Sequence, residues 1–94
     1  MTFIGLAHFR LRIPESFTLK DKRRVIKSLK DKISSRFNIS IAEVGFQNEK
    51  RLSELAIAMV NSDRALIHRS IMQILAIIET DGRCEIIDFS LEWL

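Results

Sequence analysis

Two stretches of this chain repeat their apolar residues at three- and four-residue steps, and stretches of strict alternation flank both. Ile26, Leu29, Ile33 and Phe37 fall on one helix face, as do Ile67, Ile71, Ile74 and Ile78. Before the first stretch, Phe9, Leu11 and Ile13 alternate with His8, Arg10 and Arg12. After it, Ser40 to Phe46 sets Ala42, Val44 and Phe46 on one side, and Arg51 to Val60 is a long apolar run. After the second, Ile87, Phe89, Leu91 and Trp93 alternate with Asp88, Ser90 and Glu92. A period of two suits a pleated strand and a period of 3.6 a helix, so the element order reads β-α-β-β-α-β.

Local punctuation supports that order. Pro14 lacks the N–H that a sheet ladder needs and ends the first strand. Thr18, with Asp21 three positions on, starts the first helix in a capping-box relation, and Asn38 is the expected left-handed terminator. Gln47 to Lys50 is polar and short, as a hairpin loop should be. Ser62 offers a capping hydroxyl and Asp63 a first-turn carboxylate for the second helix, which Gly82 stops.

Each half is a strand–helix–strand unit, and such crossovers are right-handed. The economical closure is an α+β, ferredoxin-like split βαβ domain over residues 1–94. Its four-stranded antiparallel sheet has order 4-1-3-2, with both helices on one face. Alternation assigns Phe9, Leu11, Ile13, Ala42, Val44, Phe46, Ala56, Ala58, Val60, Ile87, Phe89 and Leu91 to the covered face. The open face then carries Ile4, Leu6, His8, Arg10, Arg12, Ile41, Glu43, Leu55, Ile57, Met59, Ile86, Asp88 and Ser90. Its apolar members Ile4, Leu6, Leu55, Ile57, Met59 and Ile86 form a candidate dimer interface, because a monomer rarely leaves such a patch in water. A base-stacking sheet of the RRM type needs aromatic residues on its central strands. This chain has no Tyr, and its Phe residues fall mostly at core positions.

Charge is segregated along the chain. Residues 1–38 hold ten Lys or Arg against three acids, a net of +7; residues 39–94 hold five against nine, a net of −4. Such a separation bears on binding rather than on fold. On the first helix Arg23, Lys27 and Lys30 line up beside Ser34, Lys20 and Arg24 flank them, and Asp31 interrupts the stripe. Five cations on one helix face suit phosphate tracking, since each neutralised phosphate releases counterions. The same face also reads as a solubilising surface. Membrane-surface binding is disfavoured because the apolar stripe is needed for the core.

Catalytic signatures are missing. The chain has no Walker loop, GxGxxG, HExxH, CxxC or GxSxG. His8 and His68 stand alone. Glu43 and Glu54 could be paired carboxylates across the hairpin, or partners of Arg51 in a cross-strand ion pair. Acylphosphatases share the topology but need a glycine loop that cradles an anion; Ile13 to Phe17 has no glycine. The lone Cys84 cannot form an internal disulfide and fits a reducing cytoplasm. The apolar run at the N-terminus is short and broken by His8 and Arg10, unlike a signal peptide or a membrane span. The expectation is a cytoplasmic protein that is not an enzyme and uses no cofactor or metal.

The stretch Thr18-Leu19-Lys20-Asp21-Lys22-Arg23-Arg24-Val25-Ile26-Lys27-Ser28-Leu29 resembles the signature of the YlxP-like family of small bacterial proteins of unknown function, and Phe37 to Gly45 resembles the family's second-strand segment. The resemblance covers the whole chain. One departure is Asn48-Glu49-Lys50-Arg51-Leu52, where members often carry an aromatic residue. The resemblance implies a ferredoxin-like fold. It also implies a link to translation or ribosome maturation, because members are often encoded beside initiation and ribosome-binding factors. The expected function is RNA or ribosome association through Lys20, Arg23, Arg24, Lys27 and Lys30. The alternative is a protein-interaction or regulatory module that forms a homodimer through its open sheet.

Overall fold

In the computed structural model, which describes residues 1–94, β1 spans Phe3–Arg12, α1 Leu19–Arg36, β2 Ser40–Gly45, β3 Leu52–Asn61, α2 Arg64–Thr80 and β4 Glu85–Trp93. The strands form one antiparallel sheet in the order β2-β3-β1-β4, which is the expected order read from the other edge. The two helices cover one face. Ala7, Phe9 and Leu11 of β1 and Leu55, Ile57 and Met59 of β3 share a core with Ile26, Leu29 and Ile33 of α1 and Ile67, Ile71, Ile74 and Ile78 of α2.

The helix boundaries follow from their caps. Thr18 accepts the Asp21 N–H at 3.0 Å, and the Asp21 carboxylate accepts the Phe17 and Thr18 N–H groups at 3.1 and 3.2 Å. The Phe17 N–H is the leading cause that holds the Asp21 carboxyl below its ordinary range. A cap of this kind contributes about 1 kcal/mol. Asn38 does not terminate α1 in a left-handed turn. The cap is Phe37, in extended conformation, because its ring still packs on the core and the chain passes straight into β2. The α2 cap is Asp63 rather than Ser62; its carboxylate accepts the Ala65 and Leu66 N–H groups. Gly82 follows α2 at φ +87°, the conformation for which glycine was expected there. A Cβ on Gly5 would lie 2.7 Å from Ile67 Cγ2, so glycine is what lets α2 approach β1 this closely.

Two strands and part of a third present the face opposite to the alternation reading. Leu55 and Ile57 are fully buried and Met59 is nearly so, while Ala56 and Ala58 face outward and Val60 is exposed. In β2, Ile41 and Glu43 lie on the helix side, paired with Ile57 and Leu55, and Ala42 and Val44 are exposed. In β4, a register shift opposite Arg10 and Leu11 brings Ile86 to the helix side with Phe89 and Leu91 and leaves Ile87 exposed. The physical reason is volume. β3 alternates large side chains with alanines, and burying each large one is worth roughly 1.5–3 kcal/mol, far more than burying a methyl group. The candidate interface therefore loses Leu55, Ile57, Met59 and Ile86 to the core side. Ile4 and Leu6 keep their outward place beside Ala58 and Val60.

Candidate functional site

Arg23, Lys27 and Lys30 lie on the flank of α1 that faces β2, and Lys20 and Arg24 lie on its solvent side. Lys20, Arg23, Arg24 and Lys27 are exposed and Lys30 is half-buried. Arg23, Lys27 and Lys30, with Ile26, Asp31 and Glu43, line a cleft of about 360 Å³ between α1 and β2. Lys20 and Arg24 lie outside that lining. Only Lys27 among the five is ion-paired, to Asp31 at 2.8 Å one turn on, and that hydrogen bond raises its pKa. A pair so exposed contributes little to stability. Four cations are left without a carboxylate partner.

Beneath the cleft lies a residue that the sequence reading counted only as charge. Lys22 is 1% exposed. Its ammonium donates to the carbonyls of Phe46, Gln47 and Leu52 at 2.6, 3.2 and 3.1 Å and stands 3.3 Å from Glu43. Glu43 in turn accepts the hydroxyl of buried Ser53 at 2.5 Å. The signal was present in the sequence: Lys22, Ile26, Leu29 and Ile33 follow the same helical step, so Lys22 belongs to the core stripe. The network ties the β2–β3 hairpin to the first turn of α1. It also offsets the one acid of β2 that faces the cleft, so the cleft keeps a basic character.

The run that carried the family resemblance thus divides. Thr18 and Asp21 cap the helix and Lys22 fastens the hairpin, while Lys20, Arg23 and Arg24 face solvent. Glu43 and Glu54 are not a carboxylate pair. Glu43 lies on the helix side, and Glu54 meets Arg10 at 3.3 Å on the open face. Arg51 pairs with neither, and its Nε donates to the Ser16 carbonyl at 2.9 Å. His8 lies between Ala56 and Ser90 on the open face, and His68 is exposed on α2.

The hairpin end carries two solvent-facing aromatics: Phe17, which the sequence reading did not single out, and Phe46, which it assigned to the covered face. The Arg51 guanidinium lies 5.1 Å from the ring centre of Phe17, and that of Arg10 lies 5.5 Å from Phe46. Phe17 is 61% exposed. With Asn48, Glu49, Lys50 and Arg51 it borders a cleft of about 410 Å³. Phe46 sits at φ +59°, a region costly for a residue with a Cβ, and its carbonyl is held by both Lys22 and the Glu49 N–H. Where α2 turns into β4, Arg83 is the leading cause that lowers the Asp81 pKa to about 2, and burial pushes the Cys84 thiol up to about 11. A thiol with so little thiolate is a poor nucleophile.

A family model described as "Protein of unknown function (DUF503)" matches residues 4–91. The chain is 31% identical over 90 residues to "Uncharacterized protein YlxP" of Bacillus subtilis (strain 168), a match that covers 96% of this chain and 98% of that protein. Among solved structures, "De novo designed protein Foldit4" aligns with a TM-score of 0.58 at 16% identity, over 100% of this chain and 97% of that one. "Structural Genomics, protein YJCS" aligns with a TM-score of 0.56 at 8% identity, over 95% and 96%. At such identities the structural likeness is one of fold alone. No helix is long and apolar enough to cross a membrane.

Proposed function

The chain belongs to the DUF503 family of proteins of unknown function, so its role has to be read from its own surface, and we propose that it binds RNA, free or within the ribosome, through the basic flank of α1. The observation that carries this reading is the cleft beside β2, where Arg23, Lys27 and Lys30 converge. Core packing does not require these three side chains on one side, since the buried stripe of α1 is Lys22, Ile26, Leu29 and Ile33. Lys22 neutralises Glu43 from below, so the cations face a phosphate without an opposing buried carboxylate. The reading is of a binding protein that carries out no chemical step.

Affinity for an RNA strand should fall steeply with salt. The slope of log K against log salt should be roughly −2 to −3.5 for three to five phosphate contacts on a single strand. Replacing Arg23 and Lys27 together by Glu should flatten the slope while the melting temperature stays within a few degrees. RNA binding by that double variant equal to the wild type would refute the proposal.

A second reading has its own observation. Ile4, Val44, Val60 and Ile87 are exposed on the uncovered side of the sheet, next to Ala42, Ala56 and Ala58. A flat, small-residue face with apolar margins suits pairing with the same face of a second copy.

A further inference from the structure

We propose that the cleft between Phe17 and the hairpin residues Asn48–Arg51 takes an unstacked base of a single-stranded RNA whose backbone runs along the α1 cations. This inference rests on the reading of α1 given above and adds the strandedness of the RNA and the place where a base is held.

Four observations converge. First, Phe17 is exposed although a ring gains from burial; one face lies against Arg51, and its exposure leaves room for a planar group. Second, the backbone that carries the ring and the guanidinium beneath it are both held in place. Phe17 directly precedes the Thr18 cap, its N–H is bound by Asp21, and Arg51 is fixed by its bond to the Ser16 carbonyl. A stacking platform costs less to use when it is already rigid. Third, Asn48, Glu49 and Lys50 give the cleft an amide, an acceptor and a cation within reach of a base edge. Fourth, the platform stands at the N-terminal head of the helix that carries the phosphate track. Phe17 stands just before α1, and Lys20, Arg23, Lys27 and Lys30 follow within its first three turns or so, about 17 Å of helix from Leu19 to Lys30 at 1.5 Å per residue. A cationic track ending in an aromatic ring is the arrangement that holds single strands without reading their sequence. A duplex keeps its bases stacked and has none to offer the ring.

The open sheet provides no such platform. Its central strands present Ile4, Leu6, His8, Ala56 and Ala58. Base contact is therefore assigned to the hairpin end, away from the surface on which RRM domains stack bases.

The test compares two probes, a ten-nucleotide oligouridylate, whose bases need little unstacking, and an abasic strand of the same length. It uses the wild type, Phe17→Ala, Phe17→Trp and the Arg23→Glu/Lys27→Glu double variant, each checked by circular dichroism for retained fold. The wild type should prefer the base-bearing strand by about tenfold, the lower part of the range for one stacked base. Phe17→Ala should abolish that preference and keep the salt slope. Phe17→Trp should restore it and show quenched indole fluorescence on binding. The double variant should lose affinity for both strands. Equal binding of both strands by the wild type, or an unchanged preference in Phe17→Ala, overturns the assignment of Phe17 and leaves the α1 track standing. Failure of the wild type to bind either strand overturns both.

Discussion

Lys22→Met tests whether one buried ammonium holds the hairpin to the helix. Met has a similar unbranched length and fits the same slot, so the change removes charge and donors with little change in volume. Three carbonyls and Glu43 lose their common partner. Removing one member of a buried ion pair costs about 3–5 kcal/mol. Two features moderate this. Phe46 keeps the Glu49 N–H on its carbonyl, and Glu43 keeps the Ser53 hydroxyl and is 19% exposed, so water can reach it. The expected loss is therefore about 3 kcal/mol, the low end of that range. For a domain of this size each kcal/mol moves the melting temperature by about 4–8 °C, so the midpoint should drop by about 15 °C. Thermal melts at pH 7 read this directly. Lys20→Met, two residues away and exposed, is the control and should change stability by no more than about 0.5 kcal/mol. Adding Glu43→Gln to Lys22→Met removes the stranded carboxylate, so the double variant should be more stable than the sum of the singles implies, by about 1–3 kcal/mol. If Lys22→Met melts with Lys20→Met, or if the two changes simply add, the network does not couple hairpin and helix.

Two further outcomes follow from the placement of other side chains. If the open face pairs two copies, Ala58→Glu should turn a dimer into a monomer in sedimentation velocity with the melting temperature nearly unchanged; a wild type that is monomeric at micromolar concentration rejects the pairing. Ile57→Lys would instead put an unpaired charge in the core and unfold much of the protein. The Asp81 carboxyl titrates near 2 when folded against an ordinary value of 3.8, chiefly because Arg83 hydrogen-bonds its ionised form. The unfolded chain then binds the proton first, so this contribution is complete above about pH 4 and is lost as pH falls toward about 2. Asp81→Asn should lower the melting temperature at pH 7 and flatten its acid dependence between those values, which melts across a pH series will check.

Much of the fold was legible because local chemistry and pattern agreed. Thr18 and Asp21 form the reciprocal cap that their spacing suggested, Gly82 takes the positive φ that other residues resist, and Ile26, Leu29 and Ile33 of the first stripe and all four isoleucines of the second became the buried helix faces. The candidate site was legible in part. The α1 cations were visible as a helix stripe, yet a wheel does not say which of them meet a neighbouring strand. Lys22 could have been recognised by its place on the core stripe, but its partners are three carbonyls at 24 to 30 residues' separation, which no local pattern encodes. The Phe17 platform depends on Arg51, brought back by the hairpin from 34 residues away.

The amino-acid order by itself determined the kinds of element, their succession and most of their ends, because period, capping and backbone preference act over a few residues. Strand facing and side-chain convergence were decided only in the tertiary structure. A strand such as Leu52–Asn61 is apolar at both parities, and a slip of one residue exchanges its faces. What chose between them was the space under two helices, which large side chains fill and alanines cannot, together with the register shifts of β2 and β4. Those are properties of elements meeting across the sheet, and they exist only once the chain has closed.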